Sequence, residues 1–197
     1  MSESETAAAT QRKGSLLVRS AEPADREAIR GVVLGAHARH ASQLAPEVFS
    51  RYLADQLDLG THATYGRLLV AEAGDGVLGF AAFYPDASVQ GFGLPAGWAG
   101  GRALAVHPGA RGHGVARALL CTVECLAREA GAPVFAFHTA SFMTGAISLY
   151  ERLGYRRAPE HDFDMAARFG GSGATPVTSV AYLRYLLQPY LATGRTR

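Results

Sequence analysis

The chain has 197 residues, of which 48% are hydrophobic, and its formal net charge at pH 7 is +2. This size and composition predict one folded domain with a substantial core, and they exclude a chain that is disordered throughout. The basic residues are scattered, whereas nucleic-acid-binding proteins usually cluster them, so we expect no nucleic-acid partner.

The two ends of the chain differ from its middle. Residues 1–14 are small, polar and charged and contain no apolar signal segment, which predicts a disordered N-terminal tail. We expect residues 15–190 to form the single domain and residues 191–197 a flexible C-terminus. No apolar run is long enough to cross a bilayer, so no membrane association is expected. The two cysteines, Cys121 and Cys125, fit neither a disulfide framework nor a zinc site, and they indicate a reducing, cytoplasmic location.

The hydrophobic pattern predicts both strands and helices. Strands are predicted where short apolar runs lie between turn signals, at residues 15–19, 67–73, 77–84, 102–106, 134–138, 156–163 and 179–187. Helices are predicted where apolar residues recur at helical spacing, at residues 22–40, 47–59, 114–130 and 145–153. Residues 86–101 are rich in Gly and Pro and are expected to form a long loop.

The order of these elements indicates the fold class. Hairpins require antiparallel pairs, while a strand–helix–strand unit such as residues 102–138 requires a parallel pair. We therefore predict a mixed α/β (α+β) single domain. Its central mixed sheet would have about six to seven strands, with helices on both faces.

A glycine-rich turn separates the strand at 102–106 from the helix that follows it. The sequence from Val106 reads VHPGARGHGVARALL. Glycines remove side chains, so several N–H groups can converge on one anion, and the helix N-terminus adds roughly half a positive charge there. Such a turn binds phosphate or pyrophosphate, and Arg111 and Arg117 could add charge-assisted contacts. Taken alone, glycines that merely shape the turn are an equal alternative.

A dinucleotide-binding loop is the first rival interpretation. Gly112 and Gly114 resemble the first two glycines of a G-x-G-x-x-G motif. The third glycine position is Arg117, however, and His138 stands at the end of the next strand, where an acidic residue would bind the ribose. A nicotinamide-dependent oxidoreductase is therefore not favoured.

Two segments resemble the GNAT family of N-acetyltransferases. The core of that family's coenzyme-A motif, Q/R-x-x-G-x-G/A, is met by Arg111, Gly114 and Ala116. Residues 146–155, AISLYERLGY, resemble the family's A-x-x-L-Y-E-x-x-G-F segment. Both segments occur in the family's order, and the resemblance covers roughly residues 15–187.

The resemblance implies an N-acyltransferase of GNAT fold that uses acetyl-CoA as its co-substrate and needs no metal. In the family, backbone amides of the glycine-rich loop bind the pyrophosphate, and the preceding strand pairs with the pantetheine arm. That strand and the next, here 102–106 and 134–138, part to admit the thioester. The implied cofactor-binding residues are Ala105, Val106, Arg111, Gly112, His113, Gly114, Val115, Ala116 and Arg117.

The resemblance also implies catalytic residues. Tyr150 matches the family's tyrosine that gives a proton to the departing coenzyme A thiolate, although it could also be a packed aromatic. The general base is less well defined, because residues 100–106 contain no carboxylate; His138 is the favoured residue. Met143 departs from the pattern, since many relatives have Asn there to hold the coenzyme arm, and Ser141 or Thr144 could substitute.

The acceptor is expected to be a small-molecule or peptide amine. Specificity in the family usually arises from the first helices and the late loops, here residues 22–60, 86–101 and 163–176. Glu160, Asp162 and Asp164 could attract a cationic amine, but a solvated strand edge is the favoured interpretation.

Further expectations concern an acceptor pocket, the oligomeric state and an alternative class of function. Phe92, Trp98 and Tyr84 could line an apolar acceptor pocket. The late strands could support a homodimer. The alternative function is a catalytically idle acyl-CoA-binding sensor, against which Tyr150 argues.

Overall fold

The computed structural model describes residues 15–74, 76–170 and 176–186. The predicted tail and C-terminus therefore lie outside the described residues. The described strands are β1 (Leu17–Ser20), β2 (Arg67–Ala73), β3 (Gly76–Tyr84), β4 (Ala99–Val106), β5 (Val134–Ala140), β6 (Arg156–Arg157), β7 (Phe163–Asp164) and β8 (Thr178–Tyr185). The described helices are α1 (Arg26–His37), α2 (Pro46–Gln56), α3 (Leu59–Tyr65), α4 (Val115–Glu129), α5 (Thr144–Arg152) and α6 (Met165–Arg168).

These strands form a mixed sheet. Their order is β1-β2-β3-β4-β5-β8-β6, and β7 pairs with β8. β4 and β5 are parallel, whereas β1 with β2 and β5 with β8 are antiparallel. The predicted mixed α/β class is confirmed. None of the described helices is long and apolar enough to span a membrane.

The chain divides into two compact units. The first unit consists of the residues up to 82 together with residues 102–122, and the second consists of residues 83–101 together with the residues from 123 onward. In the first unit, α1 has the predicted apolar stripe, and Ile29, Val32 and Val33 are buried in the core. The salt bridge between Arg19 of β1 and Asp25 ties the strand to the start of this helix.

The first unit contains a helix that the sequence did not predict. We expected Gly60 to lie just beyond a helix covering 47–59, but α2 ends at Gln56 and α3 starts at Leu59. Asp58 caps α3, because its carboxylate accepts from the N–H of Thr61 at 3.0 Å. Gly60 therefore lies in the first turn of α3.

Gly79 of β3 allows α4 to pack closely on the sheet. A Cβ at this position would come within 2.5 Å of Val115 Cγ1 and 3.0 Å of Leu119 Cδ1. Val115 and Leu119 are themselves buried, so neither can move into solvent. The start of α4, and with it the glycine-rich turn, depends on this close contact.

We expect Gly79→Ala to lower the free energy of unfolding by about 2 kcal/mol, because the added methyl group overfills a packed site. Gly31→Ala in α1 is the matched control, since a Cβ there meets nothing within 4 Å. It should raise stability by about 1 kcal/mol through helix propensity. Chemical denaturation of both variants measures the two effects, and equal stabilities for them would contradict the packing argument.

In the second unit, β5 is the central strand. It pairs with β8 from Val134↔Tyr185 to Ala140↔Ser179, and with β4 only from Ala99↔Phe135 to Gly101↔Phe137. The β4–β5 register ends there, although β4 continues to Val106 and β5 to Ala140.

Two sequence predictions in the second unit were wrong in detail. The expected single strand at 156–163 is divided into β6 and β7, because a 3-10 turn that begins at Pro159 interrupts it. The expected loop at 86–101 contains a 3-10 turn over Ala87–Gln90, and its last three residues already belong to β4. Its Leu94 is buried in a core cluster against which Trp98 packs.

Candidate active site

The Arg111–Ala116 loop lies in the first unit, where it leads from β4 into the first two residues of α4. His107 begins the connection: its N–H donates to Leu78 O at 2.8 Å, and its Nδ1 accepts from the N–H of Gly109 at 3.2 Å. Gly112 and Gly114 then adopt φ values of +79° and +81°. L-residues with a Cβ avoid this left-handed region, so the backbone path itself requires glycine at both positions.

The space above both glycines is open. A Cβ on Gly112 or Gly114 would meet no atom within 4 Å, so the positive φ, rather than crowding, explains why glycine is present. An approaching ligand would therefore meet bare backbone.

Several amides of the loop have no internal acceptor. In the described part of the chain, the N–H groups of Gly112 and Gly114 donate to no carbonyl, whereas those of Arg111 and His113 make long bonds of 3.4 Å to Pro108 and Ala110. The first helical amides, from Val115 onward, have no carbonyl one turn before them to bind. These donors and the helix dipole together favour the binding of an anion at this loop.

The charged side chains of the loop lie in different places. The Arg111 guanidinium donates to the carbonyl of Ala36, near the end of α1, at 3.2 Å. His113 Nδ1 donates to Arg111 O at 2.9 Å, and the side chain of Arg117 is exposed. Arg111 is thus directed toward α1.

The strand before the loop has a distorted backbone. Ala103, with φ +52°, is the non-glycine residue with a positive φ among those described. Such a conformation costs about 1–2 kcal/mol and interrupts regular pairing, as in a bulge. It lies two residues after Gly101, the last residue of β4 that pairs with β5. Ala105, an expected pantetheine contact, is buried, and Val106 is half-buried.

Tyr150 lies on α5 in the second unit, and its ring is buried at 5% exposure. The ring packs on Phe137 at 4.5 Å between centroids, and on Tyr182 at 5.8 Å. Its hydroxyl makes no hydrogen bond to the described residues. Burial raises the pKa of this phenol well above its usual value, so it keeps its proton at neutral pH.

His138, the expected base, lies on β5. Its Nε2 is 2.8 Å from the carbonyl oxygen of His161. Because a carbonyl only accepts, Nε2 carries the proton, and Nδ1 is the basic nitrogen of the neutral ring. The imidazole also meets Phe163 edge-on, with centroids 5.0 Å apart. Any base role of His138 must therefore use Nδ1.

Two of the three acidic residues 160, 162 and 164 have structural roles. Asp162 forms a two-point salt bridge with Arg157, at 2.9 and 2.7 Å, and accepts from the N–H of Ala181. The Arg157 guanidinium holds the pKa of the Asp162 carboxyl below its usual value. Asp164 caps α6 by accepting from the N–H of Ala166. Of the three, Glu160 alone is exposed, which favours the interpretation of this group as an ordinary strand edge.

The aromatic residues proposed for the acceptor belong to a packed cluster. Phe92 stacks on Phe163 with centroids 5.2 Å apart, and Arg168 covers the ring of Phe92 at 4.8 Å. Trp98 meets His161 edge-on at 5.3 Å. Tyr84 is almost fully buried, so it contributes core rather than an open wall.

His37 of α1 and Met143, which departs from the family pattern, both have local partners. His37 donates from Nδ1 to Val33 O and accepts from the hydroxyl of Tyr52 at 2.8 Å. Both of its ring nitrogens are therefore occupied. The residues that the structure describes contain no group of three or more metal-ligating side chains. Met143 Sδ accepts from the Thr139 hydroxyl at 3.5 Å.

Three buried tyrosines predict loss of stability at high pH. Burial raises the pKa of Tyr150 and Tyr155, and burial together with a hydrogen bond to Glu151 raises the pKa of Tyr182 to about 12. In the unfolded chain these phenols ionise near pH 10, while the folded chain keeps their protons. The free energy of unfolding should therefore fall above about pH 10, by up to about 1.4 kcal/mol per pH unit for each tyrosine. Urea denaturation between about pH 9 and about pH 11 measures this slope, and a flat profile would contradict it.

The comparisons with known proteins identify the class. Residues 64–157 match the family model of the acetyltransferase (GNAT) domain. A GNAT family acetyltransferase from Brucella melitensis, in complex with acetyl-CoA, is 25% identical, with a TM-score of 0.53 over 73% of this chain and 84% of that one. The yncA protein from Salmonella typhimurium, solved with acetyl-CoA, is 21% identical, with a TM-score of 0.60 over 92% and 99%. An acetyltransferase of the GNAT family from Staphylococcus aureus Mu50 is 15% identical, with a TM-score of 0.63 over 88% and 100%. No curated protein matches the sequence.

Residues 64–157 of the chain therefore carry a GNAT acetyltransferase domain. The protein is an N-acetyltransferase. The resemblance, the fold and the enzyme class expected from the two sequence segments are confirmed.

Proposed function

We propose that the protein transfers the acetyl group of acetyl-CoA directly to a primary amine of a small molecule or peptide. The observation that carries this proposal is the Arg111–Ala116 loop, where two glycines with positive φ leave amides without acceptors at the start of α4. In this proposal, those amides hold the pyrophosphate. Ala105 and Val106 of β4 contact the pantetheine arm.

Bound acetyl-CoA supplies an acyl group activated as a thioester. The acceptor nitrogen forms a bond to the thioester carbon, and the carbon–sulfur bond breaks. Tyr150 gives its phenolic proton to the sulfur that leaves, which is a task for a group that is protonated at neutral pH. His138 Nδ1 is the proposed acceptor of the proton that the amine loses.

Positioning accounts for much of the rate, because the reaction joins two bound molecules. Met143 occupies the place of the family's asparagine, and its sulfur is a weak hydrogen-bond acceptor. One polar contact to the coenzyme arm is therefore absent from this side chain, and Ser141 or Thr144 would supply it.

A thiol-release assay with acetyl-CoA and a panel of primary amines tests the proposal. We expect release of free coenzyme A that depends on the amine, together with a product heavier by one acetyl group. Tight binding of acetyl-CoA without thiol release from any amine would instead support the acyl-CoA sensor. Binding of a nicotinamide nucleotide in place of coenzyme A would contradict both.

A further inference from the structure

A second group of positive charges lies beside the Arg111–Ala116 loop, within the first unit. α1 packs directly on the turn that leads into the loop: a Cβ on Gly35 would lie 3.3 Å from Pro108 Cδ. Arg111 extends from the loop to Ala36 O, one helical turn before Arg39. The end of α1 and the loop therefore bring Arg39 and Arg111 close together.

The orientation of Arg39 is fixed by a neutral histidine. Arg39 Nε donates to Nε2 of His40 at 3.0 Å, so that nitrogen must carry a lone pair. Burial, and then the charges of Arg39, His37 and Arg111, lower the pKa of His40, which keeps the imidazole neutral. His40 is thus a positioning residue for the guanidinium.

Neither arginine has a counter-ion among the described residues. The salt bridges of that part of the chain include neither Arg39 nor Arg111. Burial, and then the nearby charge of Arg39, lower the pKa of Arg111, as expected where a second cation lies close by. Two exposed guanidinium groups held together against repulsion favour a doubly charged anion.

We propose that Arg39 and Arg111 form a second anion site, and that this site binds the 3′-phosphate monoester of coenzyme A. The inference rests on the proposed function, because the same ligand would place its pyrophosphate on the adjacent loop. A phosphate monoester carries close to two charges at neutral pH, whereas each phosphate of the pyrophosphate carries one. The site therefore selects the complete coenzyme over its 3′-dephospho form.

Calorimetric titration with coenzyme A and with 3′-dephospho-coenzyme A tests this selection. The wild-type protein should bind coenzyme A about tenfold or more tightly than the dephospho form, which is the effect of about one charge-assisted contact. Arg39→Gln should weaken coenzyme A binding about tenfold and leave the affinity for the dephospho form unchanged.

Arg30→Gln is the matched control, because it removes the same charge from an exposed position of α1 at a distance from Arg39. It should change neither affinity. Equal affinities of the wild-type protein for the two ligands would overturn the inference while leaving the pyrophosphate loop intact. An equal loss of both affinities in Arg39→Gln would overturn it as well, since Arg39 would then act on a shared part of the coenzyme. If the wild-type protein binds neither ligand, the proposed function itself is wrong.

Discussion

Replacement of Tyr150 by Phe should lower kcat about 10²-fold, the lower end of effects for general acids. The phenol is the one proton donor proposed for the sulfur that leaves, and its hydroxyl has no partner among the described residues that would give it a structural role. KM for acetyl-CoA should change little, because the proton is transferred only as the carbon–sulfur bond breaks. Steady-state thiol-release kinetics separate the two constants.

Tyr182→Phe is the control for this experiment. Tyr182 belongs to the same aromatic cluster as Tyr150, but its hydroxyl donates to Glu151 at 2.9 Å. Loss of this hydroxyl in Tyr182→Phe should lower the free energy of unfolding by about 1 kcal/mol and leave kcat close to that of the wild type. An unchanged kcat in Tyr150→Phe would leave Tyr150 as a packing residue, and the acid would have to be sought elsewhere.

A second large effect is expected at Gly114. Gly114→Val forces a β-branched residue to adopt φ near +81°, so the turn must change its path and turn its amides away from the ligand. The dissociation constant of acetyl-CoA should rise at least about tenfold, as for the loss of one charge-assisted bond. Fluorescence or calorimetric titration measures this constant, and thermal denaturation measures the accompanying loss of stability.

The chain offers a matched control at Gly131, which follows α4. Gly131 has φ +73°, and a Cβ there would also meet nothing within 4 Å. Gly131→Val therefore introduces the same backbone strain in a turn that is not proposed to bind a ligand. Both variants should lose stability, but only Gly114→Val should lose affinity. If both bind acetyl-CoA as tightly as the wild type, the loop is an ordinary strand-to-helix turn.

Local patterns were sufficient to predict much of the fold. The strand predicted at 67–73 coincides with β2, and the helix predicted at 114–130 differs from α4 by one residue at each end. Both elements have a clear hydrophobic period and glycine at or just beyond an end. α3 was missed because it is short, and because Gly60 indicated a helix end whereas Asp58 acts as its cap.

The candidate site was predictable only where one continuous segment forms it. The Arg111–Ala116 loop is such a segment, so its glycines and the following helix were visible in the sequence. The proximity of Arg39 and Arg111 was not visible in the sequence. The two residues are far apart in the chain, and they come close together only because α1 packs on Pro108. The acidic residues at 162 and 164 were visible, but their partners, Arg157 and the amide of Ala166, depend on the tertiary fold.

The central claim is that main-chain N–H groups bind the pyrophosphate of coenzyme A. Amide NMR spectra of the ¹⁵N-labelled protein, recorded during a titration with coenzyme A, report on those groups one by one. The largest shift changes should occur at Gly112, Gly114 and the first amides of α4. Saturable binding that leaves these signals in place would show that the anion is held elsewhere and would contradict the account.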